Sequence, residues 1–438
     1  MKVSVAILSW NGRQHLGPCL EALAGQRDPG VPWEVLVLDN GSSDGTAEWL
    51  RKEWLAVDRL PLRLVESRHN LGFCAGNNRL VRQAEGDAVA FLNNDTRPRQ
   101  DWLAALVEGL RRSPPDIAAV SGRILDWEGE RLDFARGVMT FDGHAFQMGF
   151  RRPLDRLRPV DDPADGEELF FACGGNMLIR KESFLAAGGF DEDYFAYLED
   201  VDLGWRLWAG GERVRYVADA VVHHRSSATS DLLGLYHRGF LFERNAFVTA
   251  YKNYEDGLWQ RVMPAVQWAL ASRTQTLLVQ NNPGGEILTQ DPYAGMIANT
   301  GNGEEESEAR SEALPIRRKR GRPIWLKPRT FARHLKARLA GGPHPVLTDH
   351  RTVAQLRAQT WILGHLDRIA AHRAAVQARR KVSDAYLFER FPVYLVPTYP
   401  GDELLFARKG FRRSLPADLP LVDRNLEEVM EVEGNPSC

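Results

Sequence analysis

The sequence predicts an α/β protein, a mostly parallel sheet with helices on both faces, followed by a mainly helical C-terminal region. Three observations carry this. Continuously apolar runs such as VSVAILSW (3–10), WEVLVLDN (33–40) and AVAFLNND (88–95) alternate with segments of helical spacing, as buried parallel strands do. Polar residues gather at the strand ends, in SWNG, DNGSSDGT and NNDT, where open α/β sheets bind their ligands. Beyond residue 230 the pattern turns amphipathic and helical.

Taken in order, VSVAILSW is a strand and GRQHLGPCLEALAGQ a helix. WEVLVLDN is the second strand, and Ser43 or Asp44 stands where a cap for the next helix belongs. LRLVES (62–67) is the third strand, GFCAGNNRLVRQAEG the following helix and AVAFLNND the fourth strand. From 126 to 225, GRILDWEGERLDFARGVMTFDGHAF alternates like a hairpin. ELFFACGGNMLIRKESFLAAGGF reads as strand, turn and short helix, YLEDVDLGWRLWAGG as a helix, and RVRYVADAVVHHRS as a strand ending in two histidines. The expected organisation is an α/β domain over 1–230, a helical extension over 231–291, a flexible linker over 292–316, and a basic stretch with a helical C-terminal region over 317–438.

At 438 residues the chain exceeds one ordinary domain. Its 44% hydrophobic and 26% charged content is that of a globular protein. A net charge of −2 gives no global reason to bind nucleic acid. Cys19, Cys74, Cys173 and Cys438 lack metal-ligand spacing and fit reduced thiols. MKVSVAILSW lacks a small-residue cleavage site and fits a strand better than a signal peptide. No stretch approaches the roughly 18 apolar residues of a membrane span. The expected location is cytoplasmic, with peripheral contact at the inner face of the cell membrane left open.

The strand-end residues suit chemistry, and each also has a plain reading. Asp39 in VLDNGSSDGT is placed to accept hydrogen bonds from a base or ribose; a helix-capping turn serves equally. Asp95 in NNDT has the position and oxygen donors for a divalent cation, although Asn-Asp turns commonly satisfy their own backbone. Glu199, Asp200 and Asp202 at a helix start offer a general base or simply favour the helix dipole. His223 and His224 offer imidazole to a metal; single histidines are more often structural.

In this order and spacing, SVAILSWNG, EVLVLDNGSSDGT, NLGFCAGNN, FLNND, CGGNMLIRKESFLAAGGFDEDYFAYLEDVDLGWRL and VVHH resemble the family 2 glycosyltransferases of GT-A fold, in their rhamnosyltransferase-like branch. The resemblance covers roughly residues 1–250. It implies an inverting transferase that uses a nucleotide-diphosphate sugar and a divalent metal, Mn²⁺ or Mg²⁺. Ser9, Asn11 and Asp39 would hold base and ribose, with Asn70, Gly72 and Asn77 in the same pocket. The family's DxD-type motif stands here as Asn93-Asn94-Asp95, so metal and diphosphate would rest on Asp95, with His223 or His224 as a further ligand. Asp200 would be the base, supported by Glu199, and Gly174, Gly175 and Asn176 would form a loop near donor and acceptor. Arg244-Asn245 also recurs in the branch without an assigned role.

Between Arg310 and Arg338 stand eleven Lys or Arg against one acid, Glu312. With Trp325, Leu326, Phe331 and Leu335 interleaved, this reads as an interfacial segment attracted to anionic lipid or as a solvated linker. The rival functions are a nucleic-acid-binding protein acting through this stretch and a nucleotide-sugar binder without catalysis. The expected partners are a nucleotide-sugar donor and a glycan or lipid-linked acceptor, with dTDP-rhamnose ahead of UDP-sugars, in cell-surface polysaccharide synthesis.

Overall fold

The computed structural model describes residues 1–57, 59–225, 234–290 and 346–431. The linker expected at 292–316 and the basic run after it lie outside the described residues.

The first elements are β1 (Val3–Ser9), α1 (Arg13–Ala24), β2 (Trp33–Asp39), α2 (Thr46–Leu50), β3 (Leu62–Glu66), α3 (Gly72–Gln83) and β4 (Ala88–Leu92). β1 pairs in parallel with β2 and with β4, and β2 with β3. β1, β2 and β4 are largely apolar on both faces because helices cover both, whereas β3, at the sheet edge, exposes Arg63 and Glu66. Val35, Leu36, Val37 and Leu38 are fully buried, as are Val89 and Ala90. The register sets Ser9 beside Asp39, which aligns the strand ends into one ledge.

The chain continues through β5 (Thr96–Pro98), α4 (Trp102–Arg112), β6 (Ile117–Asp126), β7 (Leu132–Phe134), β8 (Gly137–Met139), β9 (Ala145–Gln147), β10 (Glu168–Leu169), β11 (Asn176–Arg180), α5 (Lys181–Ala186), α6 (Glu199–Ala209) and β12 (Arg213–His224). The sheet runs β10-β12-β6-β11-β4-β1-β2-β3. Beyond β4 it becomes mixed, because β11 is antiparallel to both β4 and β6 while β12 is parallel to β6. This is the GT-A architecture, and it brings the ends of β4, β6 and β12 to the turn before β11.

The remainder is mainly helical: α7 (Gly234–Asn253), α8 (Asp256–Asn281), α9 (His350–Gly364), α10 (Leu366–Arg379), α11 (Asp384–Arg390), β13 (Val393–Leu395), α12 (Asp402–Phe406), α13 (Lys409–Ser414), β14 (Leu421–Asp423) and α14 (Leu426–Val429). Ile362, Ile369, Leu387, Phe388, Val393 and Phe411 belong to the same buried apolar cluster as the sheet. Trp205 of α6 packs edge-on against Tyr254 and Phe388; burying rings of this size contributes roughly 1.5–3 kcal/mol each. Arg273 of α8, buried, pairs with Asp142 after β8 and Asp402 of α12. These helices thus pack against α6 and pair with the β8–β9 turn as well as with one another. No described helix is long and apolar enough to cross a membrane.

Candidate active site

On the β1–β2 side, two turns interlock. Asn11, with φ of 50°, accepts at Oδ1 from the Ser43 amide (2.7 Å), while its own amide donates to Ser42 Oγ (2.9 Å). Asp39 Oδ1 accepts from the Ser42 amide at 3.1 Å. The α2 N-cap is Gly45 in the left-handed region, not Ser43 or Asp44; Asp44 instead closes a turn by accepting from the Thr46 amide. Asn40, fully buried, donates to Asn70 Oδ1 (2.9 Å) and accepts from the Leu71 amide (2.9 Å). This fixes the turn into α3. Gly72, at φ of 79°, admits no side chain, since a Cβ would lie 2.5 Å from the Phe195 ring.

Three residues expected to hold the nucleotide sit beneath this ledge. Ser9 and Asn94 are buried and bonded to each other (Nδ2 to Oγ, 3.1 Å). Asn77, also buried, donates to the Phe73 carbonyl of its own helix. Each commits one polar group inside the protein and so helps shape the floor, while the Oδ1 atoms of Asn77 and Asn94 make no hydrogen bond to a described residue. Asn11, Asn70 and Asn93 are half-buried at its rim.

Asp95 lies where β12 returns antiparallel to β5, with His224 opposite Thr96. Its Oδ1 is 3.3 Å from His224 Nε2, and His224 Nδ1 is 2.9 Å from Asp133 Oδ2. Burial opposes a charge on this imidazole, yet hydrogen bonds to Asp133 and Asp95 outweigh it and push His224 up to about 10. Burial likewise would raise Asp95, but the bond from His224 brings its carboxyl below the usual range. His223, the neighbouring candidate ligand, turns to the opposite face because side chains alternate along a strand. Its ring lies against Gly129 and 3.4 Å from Arg99 Nε. The pair brought together is therefore Asp95 and His224. Its donor set, one carboxylate and one imidazole oriented from behind by a second carboxylate, suits a divalent cation. Asp133 escaped the sequence reading. LDFAR looks like any strand until β7 folds back on β6.

The turn before β11 joins this centre to the acids. A Cβ on Gly175 would lie 2.8 Å from Asn93 Nδ2, so the bare backbone here sits directly against that side chain. The Gly174 amide donates to Asp200 Oδ2 at 3.2 Å. Asn176, expected in the same loop, is instead fully buried. It accepts from Trp102 Nε1 (2.7 Å) and donates to the Arg123 and Ala220 carbonyls, a brace across the sheet.

Glu199 and Asp200 form the first turn of α6. Burial and then the neighbouring Asp200 charge raise Glu199. Burial also raises Asp200, to a smaller degree, because the Gly174 and Val201 amides hydrogen-bond its charged form. Glu199 Oε2 is buried without a hydrogen-bond partner, while Asp200 is only half-buried. Phe195, Tyr197 and Leu198, just before this turn, all have positive φ (63°, 71° and 64°). Such residues cost on the order of 1–3 kcal/mol each.

A second group, Asp191, Asp193 and His372, also brings its ligand atoms within 4.8 Å of one another. Here Lys252 Nζ already sits 2.6 Å from Asp191, and Arg368 pairs with Asp193. Protein cations thus fill the role a metal would take. The adjoining cavity of about 470 Å³, between α5 and α10, includes none of the strand-end residues.

The Glycosyl transferase family 2 model matches residues 4–186. The chain is 34% identical over 222 residues to the N-acetylglucosaminyl-diphospho-decaprenol L-rhamnosyltransferase of Mycobacterium tuberculosis, covering 45% of this chain and 68% of that protein. It is 32% identical over 207 residues to the O-antigen biosynthesis protein RfbC of Myxococcus xanthus, covering 45% and 15%. Among solved structures it resembles GalNAc-T7 with UDP, GalNAc and Mn²⁺ (15% identity, 61% and 51% covered, TM-score 0.47). S. aureus TarS 1-349 in complex with UDP-GlcNAc is similar at 17% identity, with 64% and 76% covered and a TM-score of 0.43. The chain belongs to glycosyltransferase family 2.

Proposed function

We propose that this enzyme moves a sugar from dTDP-rhamnose or a UDP-sugar to a hydroxyl of a glycan or lipid-linked acceptor, with inversion, in cell-surface polysaccharide synthesis. One observation carries the reading. The Gly174–Gly175 turn touches Asn93 of the strand end that carries Asp95 and also binds Asp200, so a leaving-group site and a base share one short segment. Asp39, Asn11 and Asn70 surround the nucleotide, while Ser9, Asn77 and Asn94 support the floor below. The rhamnosyl donor and lipid-linked acceptor rest on the 34% identity to the mycobacterial L-rhamnosyltransferase.

Asp200 is the base because it keeps hydrogen bonds that favour its charged form and a path to solvent. The more strongly raised Glu199 stays neutral beside it, and neighbouring carboxylates held apart in this way take different roles. Asp200 removes the acceptor proton as the hydroxyl oxygen bonds to the anomeric carbon. The bond from that carbon to the diphosphate breaks, and its electron pair leaves with the nucleotide. One displacement from the opposite face inverts the centre and requires no carboxylate nucleophile. Asp95 and His224 would hold Mn²⁺ or Mg²⁺, whose charge offsets that developing on the leaving diphosphate. For His224 to serve as a ligand, its Nε2 must give up the proton it shares with Asp95. Asp133, accepting at Nδ1, would keep the remaining proton there and present Nε2 to the metal.

The same proposal places the enzyme in the cytoplasm, with the basic run after Arg317 contacting anionic lipid at the inner membrane face. The test is thermal stabilisation by a panel of nucleotide sugars, with and without Mn²⁺, followed by product analysis. Stabilisation by dTDP-rhamnose or a UDP-sugar that grows with Mn²⁺ is expected. Indifference to every nucleotide sugar would sink the reading.

A further inference from the structure

The segment entering α6 is held in a form its residues do not choose. At Phe195, φ of 63° and ψ of −57°, together with an Ala196 amide bonded to the Tyr194 carbonyl at 2.7 Å, define the rare γ-turn of strained type. Tyr197 and Leu198 follow with φ of 71° and 64°, and none of the three is the Asn, Asp or Gly that tolerates such angles. Two acids come directly after. Something outside the segment must hold it.

That support comes from one helix, α7. Asn245, 1% exposed, has Nδ2 within 3.2 Å of the Tyr194 carbonyl, 2.8 Å of Ala196 and 2.7 Å of Tyr197. Its amide orientation follows from chemistry. Arg244 Nε lies 2.9 Å from Asn245 Oδ1, and a guanidinium only donates, so the atom facing it must be the oxygen and the NH₂ must face the carbonyls. Arg244 itself donates to the Tyr194 carbonyl at 2.7 Å. One turn to either side on α7, Phe242 stacks on the Tyr197 ring at 4.6 Å and Thr249 Oγ1 meets the Tyr194 hydroxyl at 2.7 Å. On its other side the segment ends α3: the Phe195 carbonyl accepts from the Phe73 and Cys74 amides (2.6 and 3.2 Å), which are otherwise unsatisfied in a first helical turn.

We infer that Asn245 is a positioning residue for the reaction: its amide gathers the Tyr194, Ala196 and Tyr197 carbonyls and thereby fixes the Glu199–Asp200 turn, with the Asp200 carboxylate against the Gly174 amide. This rests on the reading of Asp200 as base. Asn245 touches neither donor nor acceptor. It acts by keeping the acid-bearing turn in a geometry that relaxes once the carbonyls lose their donor.

The test uses the full chain with Asn245→Ala, and Asn245→Asp, which sets an oxygen against the three carbonyls. Expected is a kcat loss of ~10–100-fold, in line with the cost of a small misplacement of a reacting group, while nucleotide-sugar Kd changes by less than about threefold. Hydrogen exchange at the Phe73 and Cys74 amides should speed up, since their shared acceptor moves. Adding Tyr197→Gly, which accepts positive φ without strain, should recover part of the kcat lost in Asn245→Ala. A wild-type kcat, or a loss with unchanged exchange at those amides and no recovery by glycine, overturns the inference. Should both Asn245 variants fail to fold, Thr249→Val removes one hydroxyl from the same face and should move the same readouts less; no movement there overturns it equally. Asp200→Asn is measured alongside. If it turns over normally, the base assignment falls and the inference with it. If it is inactive while Asn245→Ala is normal, only the inference falls.

Discussion

Two regions meet at the Gly174–Gly175 turn, and they handle polar groups in opposite ways. Under the ends of β1, β2 and β4, Ser9 with Asn94 and Asn40 with Asn70 are bonded to each other, and the polar groups are paired inside a relaxed floor. Across the turn, a buried carboxylate oxygen of Glu199 has no partner, three residues run at positive φ, and Glu199 and Asp200 are both raised. The floor pairs its amides with one another, whereas the acid side holds a partnerless carboxylate oxygen and strained backbone. The two regions should therefore fail differently when cut.

The largest effect belongs to Asp200→Asn. It keeps the size of the side chain and its acceptor for the Gly174 amide but cannot take a proton, so kcat should fall ~10²–10⁴-fold with donor affinity unchanged in a titration. Before mutation, the rate should show an acid limb. A base must be unprotonated, and because burial raises this pair, activity should be lost as pH falls through a value above the ordinary carboxylate range. A rate flat down to the usual carboxylate pKa would place the base elsewhere. Next comes Asp133→Asn. With the carboxylate behind His224 removed, Mn²⁺ affinity, read by calorimetry in the presence of nucleotide diphosphate, should weaken ~10–100-fold. An unchanged affinity would mean that His224 is not a ligand.

The floor should answer in stability instead. Asn40→Ala strands the Leu71 amide and the Asn70 side chain, a cost of about 1–3 kcal/mol. It should lower Tm by a few degrees while the variant, saturated with donor, keeps most of its kcat. A large kcat loss at unchanged Tm would erase the contrast between the two regions.

The contrast also explains what the sequence showed and what it hid. Strand ends, the turn SSDGT and the acids of EDVD are local signals, since each depends on residues a few positions apart. They led to Asp39, Asp95 and Asp200. Ser9, Asn77 and Asn94 were placed in the pocket from the same signals, but whether an amide faces a ligand or a neighbour depends on packing across the sheet. His223 and His224 were indistinguishable until the pairing of β5 with β12 chose a face. Asp133 and Asn245 lie far along the chain from the groups they hold, and their roles exist only once β7 and α7 have folded against them. The helices after residue 346 read as a separate unit because their amphipathic faces show that a partner exists, not which one.

The smallest effect is also the one most particular to the acid side. Glu199 is buried beside Asp200, and its carboxyl is raised above the ordinary value. In the unfolded chain at pH 7 it is ionised, so folding must return a proton to it or bury its charge. A raised carboxyl makes the folded state bind protons more tightly than the unfolded one. Stability should therefore increase as pH falls from above the folded-state pKa toward the unfolded one, and the cost is present at neutral pH and above. Glu199→Gln removes that titration while keeping the shape. It should stabilise the fold by roughly 1 kcal/mol near pH 8, worth ~2 °C in Tm for a protein of this size, and the gain should vanish near pH 4. Catalysis should fall less than in Asp200→Asn, because the glutamine keeps the shape beside the base and Asp200 keeps its carboxylate. Calorimetric Tm at both pH values decides it. A destabilised Glu199→Gln at pH 8 would show that Glu199 is ionised and satisfied in the fold, and the raised carboxyl on this side of the turn would then be that of Asp200 alone.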